Sequence, residues 1–376
     1  MHKNKIMATF KSLGVHQDYI KGLNELGIKK PTEIQEKAIP VLLEQPRDFI
    51  GLAQTGTGKT AAYGLPLLET IDADVPLIQG LILSPTRELV QQIKKQLFKY
   101  TKYLDKKIFL EAVYGGEKID KQMQRLKRPT HIVIATPGRL IDLIERDVIN
   151  LRNIKTLVLD EADEMLNMGF QKDLNRILQY TKGQKNTWLF SATMPEEIQQ
   201  IIKKYMAKDR VEVKVNRSNV VNENIVHQYK ITPLKNKMNA LLELLDEKQD
   251  ERGIIFVKTK LSAQKLAEEL EEEGFSVKAL EGDMQQKERE KVMRAFKNGS
   301  LQYLVSTDVS ARGIDVANLG FVIHYQLPEK REYYTHRSGR TARAGKKGES
   351  IALVLPSEMQ DIYDLQKKLN IQFQER

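Results

Sequence analysis

Two adjacent carboxylates, Asp160 and Glu161, follow the apolar run Thr156-Leu157-Val158-Leu159. A buried strand ending in such a pair puts one carboxylate in reach of a Mg²⁺ ion and the next in reach of a water molecule. About a hundred residues upstream, Ala53-Gln54-Thr55-Gly56-Thr57-Gly58-Lys59-Thr60 has the composition of a phosphate-binding loop, with Ala53 where the usual pattern has glycine. The glycines that matter are Gly56 and Gly58, which let backbone N–H groups converge on phosphate oxygens at the start of a helix. Lys59 can bridge the terminal phosphates, and the Thr60 hydroxyl can ligate Mg²⁺ beside Asp160, while Glu161 polarises the attacking water. Together these residues point to hydrolysis of a nucleoside triphosphate.

Such groups need rigid elements behind them. In the first half, the runs 48–52, 80–84, 131–135, 156–159 and 187–191 are apolar and β-branched without polar alternation, as in strands buried on both faces of a parallel sheet. Helical patterns lie between them, as over 87–103 and 173–180. The second half repeats the style with runs at 253–257, 303–306, 321–324 and 350–354, and with a helix capped by Ser262 and stopped at Gly274. This alternation predicts an α/β chain of two tandem doubly wound parallel-sheet domains. The polar, asparagine-rich stretch 215–224 reads as the linker, giving domains at 1–214 and 225–376.

The chain has 376 residues, enough for two cores. A net charge of +10 favours a polyanionic partner, although acidic proteins would satisfy it equally. The absence of cysteine excludes disulfides and cysteine-held zinc and fits a reducing cytosol. No run has the length of a membrane span or the pattern of a leader, so a cytoplasmic location and no membrane association are expected.

With these motifs in order, the chain resembles the DEAD-box RNA helicases of superfamily 2, in the form of a bacterial-type minimal core, from Phe10 to about Pro356. The resemblance implies two RecA-like domains, with ATP and Mg²⁺ as cofactors. The stretch from Gly27 through Lys30 to Gln35 is similar to the adenine-reading Q motif, so Gln35 is expected on the adenine edge and Phe10 on its ring. Arg87 (in Pro85-Thr86-Arg87), Gly115-Gly116, and Thr136 with Arg139 are similar to the family's RNA-contacting motifs, which grip backbone and not bases. Ser191-Ala192-Thr193 is similar to the motif that couples hydrolysis to RNA work.

In the second half, residues 306–315 resemble motif V. The resemblance implies that Thr307 and Arg312 contact RNA and that Gly313 and Asp315 face the nucleotide. Residues 336–345 resemble motif VI, with His336 a coupling residue and Arg340 and Arg343 on one helix face as arginine fingers. Gly282 and Arg289 are expected to touch RNA. Glu281 stands where the family commonly has histidine, which puts a phosphate contact there in doubt. The implied activity is RNA-stimulated ATP hydrolysis driving domain closure and local strand separation or RNP remodelling. An ATP-gated RNA clamp and a DNA-directed motor are the alternatives. Ribosomal or RNA-decay proteins are conceivable partners.

Overall fold

The computed structural model describes residues 8–44, 47–54, 56–181, 183, 185–215, 224–311, 319–329, 331–342 and 346–376, with the side chains of 331 and 332 excepted. The chain divides into two compact units, Met1–Val215 and Asn216–Arg376.

In the first unit the strands are β1 (Phe49–Leu52), β2 (Gly80–Leu83), β3 (Leu110–Val113), β4 (Ile132–Ala135), β5 (Thr156–Leu159), β6 (Asn186–Ser191) and β7 (Val211–Lys214). They form one sheet in the order β3-β4-β2-β5-β6-β1-β7, with every pair parallel. Because strand side chains alternate, each central strand feeds two cores. Phe49, Ile82, Ile134, Val158, Trp188 and Phe190 pack on one face. Ile50, Leu83, Val133, Leu157, Leu159 and Leu189 pack on the other. Each such side chain, fully buried, stabilises the fold by about 1.5–3 kcal/mol. Double-sided burial is why these strands read as unbroken apolar runs.

The second unit repeats the plan with β8 (Ile225–Ile231), β9 (Gly253–Phe256), β10 (Val277–Leu280), β11 (Tyr303–Ser306), β12 (Phe321–His324), β13 (Gly348–Val354) and β14 (Phe373–Glu375). The order is β10-β11-β9-β12-β13-β8-β14, again wholly parallel. The two α/β sheets match the predicted fold class.

Five strands escaped the sequence patterns: β3, β7, β8, β10 and β14. Four of them are sheet edges and β8 is next to one, so they face solvent on one side and carry charges, as in Val211-Glu212-Val213-Lys214. Helix limits also shift. The helix expected over 87–103 ends at Tyr100 and continues as a 3₁₀ turn, Thr101–Tyr103. The helix Lys260–Glu272 is capped by Thr259, whose hydroxyl accepts from the Ser262 N–H at 3.1 Å, so Ser262 lies inside it.

Candidate active site

In the first unit the phosphate loop, the carboxylate pair and the Ser-Ala-Thr turn follow the carboxyl ends of parallel strands, where open α/β sheets form their ligand crevices. Strands β5, β6 and β1 are neighbours, so the carboxylate pair after β5, the Ser-Ala-Thr turn after β6 and the phosphate loop after β1 lie side by side. The loop enters the helix Lys59–Glu69 through Gly58 in the left-handed region, φ 91°, with Gly56 also left-handed at φ 79°. A Cβ on Gly58 would also collide with the Gln35 amide. Glycine is required there twice over.

Gln35 is buried and braces this loop. Its Nε2 donates to the Gly58 carbonyl at 3.0 Å, and its Oε1 accepts from the Thr32 N–H at 3.0 Å. The Thr32 hydroxyl donates to the Thr57 carbonyl, and the Thr57 hydroxyl to the Gln54 carbonyl, both at 2.7 Å. A glutamine amide has a second N–H and a second lone pair, which leaves capacity for an adenine edge. Phe10, expected on the adenine ring, is 3% exposed and packs in the core cluster of that sheet face. Lys30 is exposed just ahead of the segment.

Lys59 is 6% exposed, and its ammonium is buried without a hydrogen-bond partner among the described residues. Asp160 is 4% exposed; its Oδ1 is likewise buried and unpartnered, while Oδ2 accepts from the Tyr63 hydroxyl at 3.1 Å. Burial pushes the Asp160 carboxyl up to about 6; the Lys59 charge opposes that rise and Glu161 adds to it. Orphaned buried polar atoms are costly unless a ligand meets them. One cationic and one anionic orphan beside a phosphate loop fit a metal-bound polyphosphate. Among the described residues no three His, Cys, Asp or Glu side chains gather as a metal cage. Glu161 has left-handed backbone, φ 51° and ψ 51°, at the start of the helix Ala162–Asn167. Such a conformation costs a non-glycine residue about 1–3 kcal/mol and clusters at functional positions.

The turn after β6 is tied to the same helix. The Ser191 hydroxyl accepts from the Asp163 N–H at 3.3 Å and donates to the Thr193 carbonyl at 2.7 Å. Asp163 Oδ2 in turn accepts from the Thr193 N–H at 2.9 Å and hydroxyl at 2.8 Å. Along the same sheet end, Arg87 opens the helix Arg87–Tyr100 and pairs with Glu88 at 2.9 Å. Gly115 and Gly116 are exposed after β3. Thr136 caps the helix Pro137–Glu145, and Arg139 in its first turn donates to the Glu117 carbonyl at 3.0 Å, joining that helix to the glycine loop.

In the second unit, Thr307 follows β11, and its hydroxyl donates to Ser310 at 3.2 Å. Arg289 corrects an expectation. It is 4% exposed, and its guanidinium donates to the Ser310 carbonyl at 2.8 Å and the Glu281 carbonyl at 3.4 Å. These bonds tie Arg289 to the segments that follow β10 and β11, whereas Gly282 is open to solvent. Glu281 is buried and accepts from the Asp283 N–H at 2.5 Å. The helix Arg331–Ser338 supplies a second correction: Arg340 lies beyond it, in a turn, with its Nε donating to the His336 carbonyl at 3.1 Å. Gly339 and Thr341 close i→i−4 and i→i−3 bonds and Ala342 turns left-handed at φ 54°, so the helix cannot carry Arg340 on its face. Thr55, Arg312, Gly313, Asp315 and Arg343 lie outside the described residues.

The family model for DEAD/DEAH box helicases matches residues 32–201, and that for the conserved C-terminal domain of helicases matches residues 236–345. Over 361 residues the chain is 41% identical to the DEAD-box ATP-dependent RNA helicase CshA of Bacillus cereus, covering 96% of this chain and 68% of that protein. Identity to the CshA helicase of Geobacillus kaustophilus is 40%, covering 76% of that protein. The chain belongs to the DEAD-box ATP-dependent RNA helicases. Among solved structures it is similar to S. cerevisiae Dbp5 bound to RNA and ADP BeF3, with a TM-score of 0.90 and 32% identity over 98% of this chain and 95% of that one. It is also similar to Mss116p bound to ssRNA and AMP-PNP, with a TM-score of 0.87 and 28% identity over 100% of this chain and 81% of that one.

The helicase is thus an ATP-hydrolysing enzyme, and among its described residues no helix is long and apolar enough to cross a membrane. Three groups in it were not anticipated. Tyr63 bonds Asp160. Asp163, the fourth letter of the Asp-Glu-Ala-Asp run, holds the Ser-Ala-Thr turn; its place in that run was the available signal. Arg337 is 1% exposed and grips Asp308 with two bonds of 2.5 and 2.7 Å, joining motifs VI and V. Its position between two expected site residues, His336 and Arg340, was a signal of the same kind.

Proposed function

We propose that this helicase hydrolyses ATP when RNA is bound, and that hydrolysis times the grip and release of a single strand. The observation that carries the reading is the pair of buried orphans, Lys59 Nζ and Asp160 Oδ1, at the ends of two strands separated only by β6. Lys59 would neutralise the terminal phosphates, and the loop 54–60 would wrap them with backbone N–H groups. Asp160 and Thr60 would hold Mg²⁺, which supplies charge neutralisation at the phosphate oxygens. Glu161 orients the attacking water and takes its proton. Gln35 reads adenine with its spare N–H and lone pair while still bracing Gly58.

Arg340 and Arg343 of the second unit, with Gly313 and Asp315, would complete the nucleotide site. Its parts are divided between two units, so ATP and RNA would draw the units together, and loss of the γ-phosphate would let them part. Arg87, Gly115, Gly116, Thr136, Arg139, Gly282, Thr307 and Arg312 would grip the RNA backbone, which supports binding without base readout. Asp163 would pass the state of the nucleotide to Ser191 and Thr193, and His336 would do so in the second unit. Bending of the gripped strand would separate a short duplex locally. A cytosolic setting, with ribosomal or RNA-decay proteins nearby, accords with the chain's charge and lack of cysteine.

ATP turnover measured with and without single-stranded RNA tests the chemistry. Lys59→Ala and Glu161→Gln should each lose RNA-stimulated hydrolysis by at least about a hundredfold, on the scale of removing a catalytic acid–base group. Full stimulated activity in either variant would sink the assignment. Separation of a short RNA duplex in parallel distinguishes a motor from an ATP-gated clamp, which would hydrolyse ATP and leave the duplex paired.

A further inference from the structure

Tyr63 lies one turn into the helix that follows the phosphate loop, and its side chain is completely buried. Its ring packs against Phe190, 5.2 Å between centroids, on the strand that leads to the Ser-Ala-Thr turn. Its hydroxyl donates to Asp160 Oδ2 at 3.1 Å. The phosphate-loop helix, which carries Tyr63, and the end of β5, which carries Asp160, lie on either side of that bond. One phenol hydroxyl joins them.

We propose that Tyr63 is a positioning residue that sets the geometry of the Mg²⁺ ligand Asp160; this rests on the reading of Asp160 as a ligand. The χ2 torsion of an aspartate is broad and two-fold, so an unanchored carboxylate offers either oxygen over a range of angles. In this chain Oδ2 is fixed by the Tyr63 hydroxyl, and Oδ1 is left buried without a partner. The anchored oxygen therefore determines which oxygen meets the ion, and from where. Tyr63 is itself held, since Phe190 fixes its ring and burial leaves its hydroxyl no water. Outer-shell partners of this kind commonly govern metal affinity by about 10–100-fold. Phenylalanine would fill the same space and lack only the hydroxyl, so Tyr63→Phe isolates the bond from the packing.

The test is Mn²⁺ binding to the full chain in the presence of ADP, followed by electron paramagnetic resonance of the free ion, with ADP affinity in EDTA measured separately. Tyr63→Phe should weaken Mn²⁺ binding by about tenfold or more and leave metal-free ADP affinity within twofold of the unchanged protein. An unchanged Mn²⁺ affinity would overturn the proposal. So would a parallel loss of metal-free ADP affinity, because Tyr63 would then serve only to shape the loop. Asp160→Asn is the control for the parent reading: if it too leaves Mn²⁺ affinity unchanged, Asp160 is not a ligand and that assignment falls. Loss in Asp160→Asn without loss in Tyr63→Phe removes the Tyr63 proposal alone. Thermal melting of both variants verifies that the fold is retained.

Discussion

Gly58 shows how one residue can be fixed by two independent constraints. Its backbone is left-handed, which costs an L-residue about 1–2 kcal/mol, and the Gln35 amide occupies the space a Cβ would need. Gly58→Ala should therefore displace Gln35 from the Gly58 carbonyl and weaken ATP binding by about tenfold or more, the equivalent of that strain. The folded stability of the chain should move much less, because the helix and its apolar face remain. Fluorescent-nucleotide titration beside a urea melt checks both; unchanged affinity would mean that the loop can relax without cost. Glu161 carries a comparable left-handed strain in a residue that is not glycine. At this scale the sequence was informative about residue type and silent about partners. Lys59 and Asp160 were legible from their motifs, whereas the hydroxyl of Tyr63 on Asp160 comes from a side chain in a helix pattern indistinguishable from core.

The second unit contains a buried polar network spanning several elements. His227 on β8 meets the Tyr334 hydroxyl at 2.7 Å, and Tyr334 meets Ser350 on β13 at 3.1 Å. Ser350 also contacts His324 on β12 at 3.0 Å and Ser338 at 2.9 Å. His324 stacks on Tyr334 with centroids 4.5 Å apart, and Arg337 approaches its other ring nitrogen at 3.5 Å. The network fastens the helix Arg331–Ser338, which leads into Arg340, to three strands. Burial lowers the His227 imidazole to about 4; burial, followed by the charge of Arg337, holds that of His324 far below its ordinary value.

Both histidines are therefore neutral when folded and take up protons more readily when unfolded, near pH 6.5. Their contribution to stability is complete above pH 6.5 and is lost as the pH falls below it, until for His227 the folded value near 4 is reached. With both groups titrating only in the unfolded chain, stability should decline by up to about 2.7 kcal/mol per pH unit in that window. Urea midpoints taken from pH 7.5 down to 5 would reveal the slope, and His227→Gln should remove close to half of it. A flat profile would show that the network admits protons. Element by element, the strands buried on both faces were readable because they are continuous apolar runs. Edge strands such as β3 and β10 were not, because a charged residue, Glu111 or Lys278, interrupts the apolar run of four. The helix face assigned to Arg340 failed for a local reason, since the helix ends at Ser338.

For the molecule as a whole, the proposal divides the functional residues between two α/β units. In the proposed mechanism neither unit holds a complete nucleotide site, so nucleotide and RNA are coupled through the same closure. Thermodynamic linkage then requires reciprocity: the factor by which RNA tightens binding of a non-hydrolysable ATP analogue must equal the factor by which the analogue tightens RNA. Anisotropy titrations of each ligand in the presence and absence of the other should give matching factors, in the range of about 5–150-fold. No coupling in either direction would contradict assembly of one site from two units. The net charge of +10 adds a salt-dependent attraction for RNA that belongs to the whole surface and specifies no sequence.

By itself the sequence determined the class of the fold, the phosphate loop, the carboxylate pair and the order of motifs, because these are encoded locally as apolar runs, glycine positions and short spacings. Tertiary structure alone decided how those groups are held. Gln35 against Gly58, Tyr63 against Asp160, Asp163 against Thr193 and Arg289 against Ser310 are pairs 21 to 97 residues apart. Each bond is made by an ordinary side chain whose partner is brought near by the fold; sheet order, which sets β5, β6 and β1 side by side, brings Tyr63 to Asp160 across 97 positions of sequence. A contact of that kind leaves no periodicity in a single chain, and so it becomes visible only when the strands are in place.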